Sequence, residues 1–104
     1  MAASTPVLDT IIDINTASIE HSQLSLRELM LARIAAMVAV DAPPASYFAN
    51  ARPGAAGGLT QQDVQDVMIA VAPIVGTAKV VSAGGNLMRA LNMAITVAEE
   101  GASA

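Results

Sequence analysis

The sequence predicts an all-α domain, and three observations carry that reading. Apolar residues recur at three- and four-residue spacing through most of the chain. Two of the apolar runs open on a helix-start signature. No stretch alternates apolar and polar residues at the period of a strand, and the Val-rich patch Lys79 to Ser82 sits inside helical periodicity. About five helices result.

The first helix opens on Thr5-Pro6, which read as N-cap and first helical residue. Val7, Ile11, Ile14 and Ser18, with Leu8, Ile12 and Ile19 beside them, fall on one side. Asp9, Asp13 and Glu20 mark the wet side, and the helix ends near His21 or Ser22. His21 is the only histidine. In a last turn it favours the helix dipole, and no partner set for a metal accompanies it.

The chain is organised around the next helix, Leu24 to Asp41. Ser25 is its N-cap and Glu28 the third residue of a capping box, with Leu24 placed to staple onto Leu29. Pro43 and Pro44 close it. Only Arg33 interrupts Leu29 to Val40, and a helix apolar all round is expected to be buried on all sides.

Ser46 to Arg52 reads as a short helix carrying the only two aromatics, Tyr47 and Phe48. Pro53 to Gly58 reads as a flexible loop. It has neither the preceding strand nor the Gly-Lys-Ser/Thr signature of a phosphate-binding loop. The next helix starts with Thr60 as cap, Asp63 three residues on and Leu59 placed against Val64. The two starts lie thirty-five residues apart (25 and 60). Shared helix-start chemistry accounts for the match as well as an internal duplication does. Val64, Val67, Met68 and Val71 form the stripe expected to be buried, and Pro73 is expected to kink or end the helix.

Gly76-Thr77 separates this helix from the last, expected over Thr77 to Glu99 with Gly101 just past its end. There Val80, Gly84, Leu87, Leu91, Ala94 and Ala98 space as a heptad seam, with small residues that let a partner backbone approach. Lys79, Asn86, Arg89 and Asn92 read as a solvated flank.

Length places residues 1–104 in one domain. The apolar fraction is 54%, or about 60% when glycine is counted and tyrosine is not, against about 45–50% in ordinary domains. Charged residues are 13%, against about 25%. A domain this small has too little interior for that surface, so a homo-oligomer is expected. The net charge of −4, with five scattered basic residues, excludes a nucleic-acid footprint and disfavours anionic membranes. With no cysteine, thiol and disulfide chemistry are excluded. No signal peptide and no membrane span are read, so the expected location is cytoplasmic.

Taken together, Leu24-x-x-Arg27-Glu28-Leu29, the apolar helix, Gly58-Leu59-Thr60-x-x-Asp63-Val64 and Gly76 before a small-residue helix resemble the carboxymuconolactone decarboxylase family, within the AhpD-like fold. The resemblance spans roughly residues 22 to 95. It implies an all-helical fold assembled as a trimer or hexamer. The thiol peroxidase branch of that fold carries E-x11-C-x-x-C-x-x-x-H. Counted from Glu28, those positions hold Val40, Pro43 and Tyr47, so a dithiol peroxidase is excluded. The decarboxylase branch needs no cysteine, but its members carry a histidine near the short helix, where Tyr47 stands.

The leading expectation is therefore a non-redox family member, a homo-oligomer of unknown activity with a small-molecule pocket between subunits, no cofactor and no metal. The alternative is a cofactor-free decarboxylase or lyase on a small carboxylated lactone or acid. Its actors are Glu28, Arg33 and Tyr47: Arg33 clamps a carboxylate, and a buried Glu28 with a raised pKa moves a proton. A third reading is a structural protein whose last-helix seam docks another helix. Each of the three residues also has a purely structural account: Glu28 in the capping box, Arg33 in an internal pairing, Tyr47 in the core.

Overall fold

Two helix starts, locked to each other, set the frame. The computed structural model describes residues 5–103, and the regular structure among them is entirely helical. Six helices follow in order: α1 (Pro6–His21), α2 (Leu26–Ala39), α3 (Pro44–Ala49), α4 (Ala51–Ala56), α5 (Gln61–Val75) and α6 (Thr77–Ser103). At the head of α2 the Ser25 hydroxyl accepts from the Glu28 amide at 3.1 Å, and the Glu28 carboxylate accepts from the Ser25 amide at 2.9 Å. At the head of α5, Thr60 and Asp63 repeat the exchange at 3.1 and 2.8 Å. Each box satisfies two amides that a helix start leaves without partners.

Asp63 also receives the Arg27 guanidinium in a two-pronged contact at 2.7 and 2.9 Å, and Arg27 donates to the Gly58 carbonyl at 3.2 Å. The first turns of α2 and α5 are thereby joined. Gly57 completes the junction. A Cβ there would stand 3.2 Å from the Arg27 amide nitrogen, so a side chain at this position would push the end of α4 and the α2 backbone apart by a few tenths of an ångström.

The core runs along one side of α2. Ile34 and Val38 meet Val67 of α5 and Ala83 of α6, with Leu31, Val64 and Val71 around them. Ala42, Tyr47 and Ala90 form a second cluster where α3 crosses α6. The flank of α6 read as solvated has structural work at the end of α2. Lys79 donates to the Ala39 carbonyl at 2.8 Å and Asn86 to the Ala42 carbonyl at 3.1 Å. A cation thus serves a carbonyl that the end of α2 leaves open, and an amide serves one in the turn that follows it. Ser82 donates to Asp41, whose φ of 55° turns the chain sharply toward α3.

The structure departs from the sequence expectations at five places. The stretch read as one helix (46–52) and a loop (53–58) instead forms two short helices, Pro44–Ala49 and Ala51–Ala56, followed by a turn at Gly57 and Gly58. They break at Asn50, whose side-chain amide bonds the Ser46 carbonyl at 2.9 Å. Pro53 is tolerated because it is the third residue of α4, where an amide has no intrahelical acceptor. Pro73 does not end α5, which continues to Val75 and stops at Gly76, φ 90°. So near the end of the helix the missing amide removes one bond and little else. α6 continues through Gly101 to Ser103.

The fourth departure is the burial of α2. Within the chain it buries Leu29, Met30, Ile34 and Val38, while Ala32, Ala36 and Val40 face outward. Alanine at two of those positions keeps the exposed apolar area small. The fifth is α1, which starts and stops as the sequence indicates but buries no residue. It is tied to the body by Arg33, which donates to Asn15 and Ser18.

Candidate functional site

A cavity of about 390 Å³ opens between α2, α3, α4, α5 and α6. Ile34, Phe48, Leu59, Val64, Leu87 and Ala94 are among its walls, so its surface is mostly hydrocarbon. The volume suits a small organic molecule. The capping box that starts α5 also positions the cavity's polar edge, Thr60 and Gln61. Thr60 is already engaged by Asp63 at 3.1 Å. Among the described residues the Gln61 amide has no hydrogen-bond partner, which leaves it able to meet a ligand.

Of the three residues singled out in the sequence, Tyr47 alone lines this cavity. Its side chain is buried and its hydroxyl has no hydrogen-bond partner. Burial, and secondarily the charge of Asp41, pushes the phenol pKa up. Tyr47 therefore keeps its proton at neutral pH. Arg33 stands one residue removed. Its guanidinium donates to Asn50 at 3.2 Å, and Asn50 in turn lines the cavity. It also donates to the Asn15 side chain, to the Asn15 carbonyl at 3.4 Å and to the Ser18 hydroxyl at 3.1 Å. Neutral oxygens alone surround it among the described residues.

Glu28 is held in the capping box at the start of α2, on an exposed turn. The Ser25 amide, and then the Ser25 hydroxyl, hold its carboxyl below the usual range. A depressed pKa is the opposite of what a proton donor at neutral pH needs.

Asn50 and Gln61 are the site residues that sequence reasoning passes over. Asn50 carried a signal: a short-chain amide inside an otherwise helical run competes with the ladder and marks a break. Gln61 carried none, because an amide in a first turn is unremarkable until an apolar cavity lies beneath it. Among the described residues no cluster of three or more His, Asp or Glu side chains is placed to hold a metal. No described helix is long and apolar enough to cross a membrane. No family model, curated protein or solved structure matches the chain.

Proposed function

We propose that this protein is a non-redox, carboxymuconolactone decarboxylase-like homo-oligomer with an AhpD-like helical fold, and that it binds a small, largely apolar molecule in the cavity between α2, α3, α4, α5 and α6. The observation that carries the binding reading is an apolar chamber of about 390 Å³ edged by an amide, Gln61, with no partner of its own. Hydrocarbon walls supply affinity and one or two polar groups set orientation, which is how small-molecule sites are generally built. The ligand class that fits is a compact hydrocarbon or ring with a single carbonyl, hydroxyl or amide group. The family reading rests on the motif order in the sequence and agrees with the all-helical architecture and both capping boxes.

The lining favours binding over turnover. Tyr47 is its one titratable side chain, and burial keeps that phenol protonated. The lyase alternative draws on Arg33, which would have to leave Asn15 and Ser18 to meet a substrate carboxylate.

Native mass spectrometry of the protein as purified from cells tests the reading. The wild type should carry a small-molecule mass excess. Ala55→Trp, on the exposed part of the cavity wall, should lose it while keeping the helical circular dichroism signal. A ligand-free wild type that also takes up no small hydrocarbon alcohol or ketone would refute the proposal. Equal loading of the plugged variant would place the ligand elsewhere.

A further inference from the structure

Gln61 belongs to two hollows. The first is the candidate cavity of about 390 Å³. The second is a groove of about 590 Å³ lined by α5 and α6 alone. Val64, Leu87 and Leu91 also line both. Gln61 is exposed, Leu91 is 53% exposed, and Val64 and Leu87 are half-buried. None of the four is buried, which makes them a shared rim rather than a closed partition.

The rest of the groove is Gln65 and Met68 of α5 with Gly84 and Met88 of α6. On each helix the lining covers two turns, about 10 Å. That is too short a bed for a partner helix. It suits an extended hydrocarbon chain: at about 1.5 Å per carbon–carbon bond, roughly eight carbons span it. A Cβ on Gly84 would meet nothing within 4 Å, so α6 leaves a gap there for a chain to lie in. The two methionines are flexible and polarisable, and can mould to such a chain. Met88 is 63% exposed, so a chain laid over it removes apolar surface from water.

We propose that the ligand of the cavity carries an unbranched alkyl tail, which crosses the rim at Gln61 and Leu91 and lies in the α5–α6 groove. This rests on the binding reading of the preceding section and deepens it: the compact part fills the cavity and the tail fills the groove. Neither lining holds a charged side chain, so the polar group of the ligand is neutral. A carboxylate would lose its water there and gain no counter-charge. The Gln61 amide can both donate and accept. Because it stands on the rim, it meets a polar group placed where the tail joins the compact part.

Calorimetric titration of the full-length protein with 2-alkylcyclohexanones, their tails running from methyl to octyl, tests this. The affinity should rise about two- to fourfold with each added methylene, the range for a methylene partly to fully removed from water. The rise should level off once the groove is filled. Gly84→Leu fills the groove from a position with room for a side chain, and Gln65→Trp covers it from α5. Both variants should keep the helical circular dichroism signal and the affinity for the methyl member, and lose the gain with length. A wild-type affinity that is the same for every tail would overturn the tail and leave the cavity reading standing. A gain with length that persists in both variants would also overturn it, since the tail would then lie outside the groove. If no member of the series binds, the cavity reading fails as well.

Discussion

Asp63 shows how much one side chain can join. It caps the first turn of α5 through Thr60 and grips Arg27 of α2 at 2.7 and 2.9 Å. The Arg27 guanidinium, followed by the Thr60 amide, holds its carboxyl well below the usual carboxylate range. Glu28 is depressed in the same direction by Ser25. A carboxyl that titrates lower folded than unfolded adds stability above its unfolded pKa of about 4, and that stability is lost as the pH falls below it. The urea midpoint of the wild type should therefore drop as the pH falls from about 5 toward 2. Asp63→Asn should start lower at neutral pH and fall less steeply over the same window. Parallel curves for the two proteins would show that the Asp63 contacts contribute nothing to folding. The capping role of Asp63 was legible in the sequence, because its partner sits three residues away. Its role as a clamp was not, since Arg27 is 36 residues distant and only the tertiary fold brings it there.

Among the elements, the start of α2 is the best determined and the stretch between α3 and α5 the least. Ser25, Glu28, Thr60 and Asp63 fixed two helix starts from local chemistry alone, and both capping boxes form. Residues 53–58 were misread for an equally local reason. Proline and glycine signal a loop, yet Pro53 falls where a helix start needs no amide, and Gly54 is buried in α4. Gly57 adds a constraint no local rule contains, the proximity of the α2 backbone. Its own φ of −78° suits any residue, so the close contact with the α2 backbone, and not the backbone conformation, is what a side chain would strain. Gly57→Ala should cost about 1–3 kcal/mol in chemical denaturation, the usual range for an overpacked contact. A midpoint equal to wild type would mean that α4 shifts freely away from α2. For α1 the ends and the apolar face were legible, but amphipathicity says only which side avoids water. It does not say what covers that side, and within one chain Arg33 meets Asn15 and Ser18 there while no residue of the helix is buried.

At the scale of the whole molecule the apolar excess of the composition becomes a place. The radius of gyration is 14.9 Å, against about 13 Å for a well-packed chain of about 100 residues. Apolar side chains are left exposed on α1, on α6, where Val81 is 69% exposed, and on α5 and the end of α2, where Ile74 and Val40 are 86 and 74% exposed. Arg33 was read as a substrate clamp or an internal partner, and the structure gives it the internal role of holding α1 to the body. Of the candidate cavity, Tyr47 was legible in the sequence, but its place and its other walls were not, because they come from five helices and the sequence does not state how these cross. Burial of the exposed apolar surface between copies is the claim on which the proposed assembly depends. Sedimentation equilibrium of the wild-type chain at micromolar concentration tests it most directly. The expected mass is an integral multiple, two or more, of the 10.5 kDa chain. A mass of 10.5 kDa across the concentration range would contradict it.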